Sequence, residues 1–201
     1  MTGLRERKKL ETRQRLADIA TVMFAARGFD HVSVADVAEA AGVSKMTVFN
    51  YFPRKEDLLF DRMPEFAALI TAAVRERRSD ASPVAAIRDL VLRLIDERHP
   101  LGGFADTFPG FWQIVLDSPA LRARAREVVD DVEALLAGLY AESFDDAHAR
   151  LSAALTVAAW RTCYLSGARR IMAGEPADDF SAEHRAWVEE CFAAVPEVKQ
   201  H

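Results

Sequence analysis

Residues 33–52 read SVADVAEAAGVSKMTVFNYF, and this stretch decides the fold. Ser33 suits the cap of a short helix, with Asp36 three residues on to reinforce the start. Val34, Val37 and Ala38 give that helix a buried stripe. Ala41-Gly42-Val43 has the length and chemistry of the turn in a helix-turn-helix. Ser44 then caps a second helix whose Val48 and Phe52 point inward, leaving Lys45, Met46, Thr47, Phe49 and Asn50 on the opposite face. Phe52-Pro53 ends it, because the residue before a proline is disfavoured in the α region. A second helix held by so tight a turn can lay its N-terminal half in the major groove while the first crosses the backbone. The helix starts at Ser33 and Ser44 would offer N–H groups to phosphates. Two short amphipathic helices around a glycine also occur in ordinary bundles, so the pattern by itself leaves a scaffold role open.

Working outward, the chain reads as helix throughout. Leu16, Ile19, Ala20, Met23 and Phe24 form one apolar face of a preceding helix that stops at Gly28. Further helices are expected at Lys55–Arg78, Pro83–Arg98, Phe104–Leu116, Pro119–Ser143, Asp146–Ala173 and Ser181–Val195. Pro83 and Pro119 suit first helical turns, where the missing N–H is harmless. No alternating apolar and polar run argues for a strand. The fold class is therefore all-α.

The 201 residues carry a formal net charge of −5 and are 50% hydrophobic, which excludes a disordered or collagen-like chain. The charge is uneven: residues 1–60 sum to +2 and residues 61–201 to −7. Arg5, Arg7, Lys8, Lys9, Arg13 and Arg15 face only Glu6 and Glu11. A basic arm on an acidic body suggests one end for phosphate and another for different work. No apolar run reaches a membrane span and no signal-peptide core precedes the arm, pointing to a cytoplasmic protein.

Residues 12–62, TRQRLADIATVMFAARGFDHVSVADVAEAAGVSKMTVFNYFPRKEDLLFDR, resemble the DNA-binding domain of TetR-type bacterial regulators. The RGF after the first helix, the SVADVAEAAGVS core and the F-x-Y-F-P-x-K-E-D-L-L ending carry the likeness. The resemblance implies a three-helix DNA-binding domain with a helix-turn-helix, on a larger helical domain that dimerises and holds a small-molecule effector. The division is placed at 1–53 and 54–201. It also implies DNA contacts by Ser33, Ser44, Lys45, Met46, Thr47, Phe49, Asn50, Tyr51 and Lys55. Ser33 and Lys55 would bind phosphate, and Asn50 could pair with adenine N6 and N7. Met46 and Phe49 depart from the family's common Gly and Tyr: Met46 would either crowd the DNA or meet a thymine methyl, and Phe49 lacks a phosphate-binding hydroxyl.

In the larger domain, Leu151, Leu155, Ala158, Thr162 and Leu165 follow a seam spacing, while Ala153, Val157, Trp160, Tyr164 and Ile171 make a second stripe. A helix with two apolar faces packs against two things. Trp187 and Cys191 on the last helix extend the first set, giving a candidate homodimer interface that would pair two reading heads on an inverted-repeat DNA operator. A candidate effector pocket gathers Met63, Phe66, Ile70, Phe104, Phe108, Phe111, Trp112, Trp160 and Tyr164, with His99, Gln113 and Arg161 as polar groups. Such a stripe equally describes ordinary core; breaks at Gly102-Gly103 and Pro109-Gly110 favour a pocket for a small, largely apolar effector. Pro64, inside the expected Lys55–Arg78 helix, would either kink it as a hinge or mark where one helix gives way to another.

Asp96-x-x-His99 and Asp145-x-x-His148 each supply two metal ligands without an obvious third, so no metal and no cofactor are expected. No P-loop, H-E-x-x-H or G-x-S-x-G pattern supports an enzyme. The two cysteines read as core side chains. The sequence thus points to a dimeric DNA-binding transcriptional regulator, a repressor released by its effector. The competing reading is a helical small-molecule carrier whose helix-turn-helix is incidental.

Overall fold

The computed structural model describes residues 3–103 and 108–196. Among them the chain forms α1 (Leu4–Arg27), α2 (Val34–Ala40), α3 (Lys45–Tyr51), α4 (Met63–Arg75), α5 (Pro83–Asp96), α6 (Phe108–Asp117), α7 (Pro119–Tyr140), α8 (Asp146–Met172) and α9 (Ala177–Ala193). Short 3-10 turns lie at Phe29–His31, Glu56–Leu58 and Pro100–Gly102. No strand occurs among the described residues, and no helix among them is long and apolar enough to cross a membrane.

Two compact units emerge, one of Met1–Met63 with Gly110–Ala125 and one of Pro64–Pro109 with Arg126–His201. The expected boundary at 53/54 therefore falls inside the first unit. The reason is burial: Leu58, Leu59 and Phe60 after Pro53 belong to the core that α1 begins with Leu16, Ala20 and Phe24. Residues 110–125 join that core from far along the chain. Phe111 meets Phe60 edge-on at 5.8 Å, Ser118 Oγ donates to Asp30 at 2.9 Å, and Arg124 Nε pairs with Asp57 at 3.1 Å.

The single helix expected over Lys55–Arg78 is two elements. The Arg54 N–H donates to the Asp57 carboxylate at 3.2 Å, closing a tight turn, and α4 starts afresh at Met63. Pro64 stands in its first turn, where no intrahelical donor is needed. Pro64 therefore starts a helix and kinks none. Pro109 and Gly110 lie within α6, and its described residues Phe108–Asp117 run through them without a break. α9 begins at Ala177, ahead of the expected Ser181, with Asp178 and Asp179 in its first turn where the helix dipole favours them.

In the second unit, α8 and α9 pack along one another and both meet α5. Fully buried Tyr140 reaches the Thr156 hydroxyl at 3.3 Å, and burial pushes its phenol up to about 12. The Arg170 guanidinium lies 4.1 Å from the centre of the Phe180 ring and pairs with Glu175 at 2.5 Å and Glu183 at 2.9 Å. Beside it, His184 is buried against Phe180, and desolvation together with the Arg170 charge lowers its imidazole to about 4. Asp96 and His99 go separate ways, to Arg185 at 2.5 Å and Glu65 at 3.3 Å.

Candidate nucleic-acid interface

The local chemistry of the first unit builds a helix-turn-helix. Ser33 Oγ accepts the Asp36 N–H at 3.2 Å, while the Asp36 carboxylate takes the Ser33 N–H at 2.7 Å and the Ser33 hydroxyl at 2.6 Å. These bonds hold the Asp36 carboxyl below its ordinary range. At the other end of α2, the Val43 N–H reaches Ala38 O at 2.9 Å and the Gly42 N–H reaches Glu39 O at 3.0 Å. That pair of bonds is a Schellman closure and needs a left-handed residue, supplied by Gly42 at φ +65°. The chain is thus redirected within three residues into α3. There Ser44 Oγ accepts the Thr47 N–H at 3.1 Å and shares a 2.8 Å bond with the Thr47 hydroxyl.

Burial then sorts the two faces of α3. Val48 and Phe52 are fully buried, whereas Lys45, Met46, Phe49 and Asn50 are exposed and Thr47 and Tyr51 half-buried. Met46, at 68% exposure, and Phe49, at 37%, are large apolar side chains left in water on one seven-residue helix. That costs solvation unless a partner covers them. Lys45 and Phe49 sit 5.8 Å apart, charge over ring. No carboxylate stands in the first turn of α3, so its N-terminal N–H groups and Lys45 favour an anion.

Two of the expected phosphate contacts are placed differently. Lys55 turns inward: its ammonium donates to Phe29 O at 2.7 Å and lies 3.9 Å from the Phe29 ring centre. Burial lowers its pKa against the pull of Asp30, Glu56 and Asp36. It ties the turn after α1 to the segment after α3, and its charge is used within the fold. Ser33 commits both its N–H and its hydroxyl to Asp36, whose carboxylate occupies the start of α2. Both residues have an internal partner that sequence spacing alone does not reveal.

A residue with a positioning role was missed. Arg13 donates to Tyr51 O at 2.6 Å and Asp61 O at 3.2 Å, and its guanidinium lies 4.2 Å from the centre of the Phe52 ring. It thereby ties α1 to the C-terminal end of α3. The available signal was register: Arg13 falls on the same helical face as Leu16, Ala17 and Ala20.

A capped pair of short helices, an acid-free helix start and an exposed mixed face are what a groove-reading head requires. Residues 16–61 match the family model of bacterial regulatory proteins, tetR family. Over residues 16–61 the chain is thus similar to the N-terminal domain of that family. The HTH-type transcriptional regulator BetI of Pseudomonas paraeruginosa is 35% identical over 102 residues, 49% of this chain and 52% of that protein. The chain thus spans about half the length of the curated relatives it matches. Two solved structures share this fold over nearly the whole chain. NalD, the secondary repressor of the MexAB-OprM multidrug efflux pump in Pseudomonas aeruginosa, has a TM-score of 0.58 and 18% identity, covering 96% of this chain and 100% of its own. SmeT in complex with triclosan has a TM-score of 0.60 and 15% identity, covering 95% and 100%.

The residues expected to form an effector pocket divide. Phe66, Ile70 and Trp160 line one cavity in the second unit, with Leu90, Val132 and Leu136. Phe66 and Trp160 stack at 5.6 Å, and Tyr164 meets Trp160 at 5.6 Å. The cavity is entirely apolar and holds about 10 Å³, room for one water. Met63, Phe111, Trp112 and Gln113 belong instead to the first unit, where Phe111 serves the core and Gln113 lines a hollow of about 370 Å³ with Phe24, Asp30, His31 and Asp117. Arg161 is exposed and His99 faces Glu65. Phe104 and the Phe108 side chain lie outside the described residues.

On α8, Ala153, Val157 and Cys163 are buried, while Ala158 and Thr162 are exposed and Leu155 and Leu165 half-buried. Leu151 is 56% exposed and Trp187 on α9 is 40% exposed. Cys191 is half-buried, and burial, with Cys191 nearby, pushes the Cys163 thiol up.

Proposed function

We propose that the protein is a homodimeric transcriptional repressor that binds an inverted-repeat operator and is released from it by a small, largely apolar effector. The observation that carries the reading is the exposed face of α3, formed by Lys45, Met46, Phe49 and Asn50 on a helix whose first turn holds no carboxylate. Lys45 and the α3 N-terminus hold phosphate, Asn50 reads a base edge, and Met46 and Phe49 meet thymine methyls. Ser44, Thr47 and Tyr51 hold the helix in place. One such head covers one half-site, so a two-fold dimer supplies the second.

The dimer reading rests on the line of exposed Leu151, Ala158 and Thr162 with half-buried Leu155 and Leu165 on α8, extended by exposed Trp187 and half-buried Cys191 on α9. The effector reading rests on the all-apolar cavity between Phe66, Ile70 and Trp160, in keeping with SmeT's complex with triclosan. At about 10 Å³ the cavity is closed, well below the roughly 300 Å³ of a small-molecule site. An effector therefore selects an expanded packing of Trp160 and its neighbours. Its differential affinity for that state sets how far operator affinity falls. A carrier would hold its pocket open, which disfavours that reading.

The test is fluorescence anisotropy on a labelled duplex recovered by selection, with wild type, Lys45→Ala and a panel of apolar compounds. Binding that weakens with Lys45→Ala and is reversed by at least one compound supports the proposal. Binding insensitive to Lys45→Ala overturns the reading of α3.

A further inference from the structure

α1 is far longer than its packing requires. It runs for 24 residues from Leu4, yet its first buried residue is Leu16. The last tie before that point is Arg13, fixed to Tyr51 O, Asp61 O and the Phe52 ring. From Leu4 to Arg13 the helix extends about 14 Å beyond this tie, at 1.5 Å per residue. Every described residue from Gly3 to Glu11 is exposed.

The charges from Arg5 to Arg15 are sorted by face. Glu6 accepts the Gly3 N–H at 3.3 Å, and Glu11 pairs with Arg7 at 3.6 Å. At 100° per residue, Arg5, Lys8, Lys9 and Arg15 share one side of the helix, with Thr12 between them. No ion pair among the described residues involves any of these four.

This arrangement works against the helix that bears it. Like charges at i, i+3 and i, i+4, here Arg5 with Lys8 and Lys9, repel. Cations in the first turns also oppose the positive end of the helix dipole. Neither cost is recovered within the fold. A polyanion alongside the stripe would recover both.

We infer that the exposed face of Arg5, Lys8, Lys9 and Arg15 is a second DNA-docking surface, which grips the phosphate backbone away from the bases that α3 reads. The inference rests on the DNA-binding reading above and adds a contact that carries no sequence information. Its partner is duplex backbone because the tie at Arg13 fixes the stripe to the end of the reading helix itself. A 14 Å length of duplex presents about eight phosphate charges, at one per 1.7 Å, enough for four cations.

The test compares the full-length protein with a variant carrying Arg5→Gln, Lys8→Gln, Lys9→Gln and Arg15→Gln. The probes are a labelled random-sequence duplex of about 60 base pairs and vesicles containing phosphatidylserine, the former titrated across salt concentrations. Each cation that neutralises a phosphate adds about 0.9 to the log–log salt slope, so removing four per protomer lowers that slope by about 3.6 per protomer. Melting temperature is unchanged or raised, because self-repulsion is relieved. A slope within about 1 of wild type overturns the inference. So does an unchanged duplex slope accompanied by lost vesicle binding, which assigns the stripe to lipid. If wild type itself binds the duplex with no salt dependence, the DNA-binding reading fails first; a slope present in wild type and retained in the variant refutes the arm alone.

Discussion

Replacing Lys55 with alanine separates two roles that a lysine at this position can have. Its ammonium donates to Phe29 O at 2.7 Å and sits 3.9 Å from the Phe29 ring centre. A hydrogen bond from a charged donor contributes about 1.5–3 kcal/mol, and a partly desolvated cation–π contact adds about 0.5–1 kcal/mol. Against this stands the desolvation that lowers the Lys55 pKa in spite of three nearby carboxylates. A net loss of about 1–2 kcal/mol follows for Lys55→Ala, near the middle of what single substitutions do. Urea unfolding followed by circular dichroism reads that loss as a lower midpoint at an unchanged m-value. The same protein, titrated onto duplex at several salt concentrations under folded conditions, keeps its wild-type slope. If Lys55 instead held a phosphate, stability would be untouched and the slope would fall by about 1. That outcome would refute the inward assignment.

Three more expectations follow from other parts of the molecule. Asn50→Ala lowers affinity for the best-bound sequence by about 1–3 kcal/mol and relaxes preference at one base pair; equal weakening on all duplexes, read by competition binding, counts against a base contact. Leu155→Glu combined with Trp187→Glu yields folded monomers in sedimentation velocity, since charge on the part-exposed line of α8 and α9 leaves the buried Val157 and Cys163 face intact; a retained dimer moves the interface elsewhere. His184 is neutral when folded, its imidazole lowered to about 4. The unfolded chain binds a proton near pH 6.5 that the folded chain refuses. The stability this gives is complete above about pH 6.5 and is lost as the pH falls toward 4. His184→Gln should flatten the dependence of the urea midpoint across that window, and an undiminished acid slope would assign the loss to other groups.

The sequence was most legible where one residue type has one physical use. Ser33 with Asp36, Gly42 and Ser44 announce two helix starts and a left-handed turn, and all three appear as local bonds. Helix phase also separated the faces of α3 and α8, because burial follows the 3.6-residue period. Prolines were read less well. Pro64 fits the first turn of a helix as readily as a kink, and only the hydrogen-bond ladder tells which. Least legible were residues whose partners lie far along the chain. Arg13 bonds to Tyr51 and Asp61, Lys55 to Phe29, and Phe111 packs on Phe60. Charge and aromatic spacing suggested phosphate and ligand for these, while the fold uses them as internal braces. The first compact unit runs past 53/54 for the same reason, since Leu58, Leu59 and Phe60 carry a core that residues 110–125 complete from a distance.

The central claim is that the α3 face reads DNA as one half of a symmetric pair. Selection of the purified protein against a randomised duplex pool, with the retained sequences read out and binding repeated across salt concentrations, tests it most directly. The account predicts an enriched inverted repeat whose half-site centres lie about 34–36 Å apart, or a multiple of that, with a steep negative salt slope. No enrichment together with a shallow slope would contradict it, and would reduce the helix-turn-helix to scaffold.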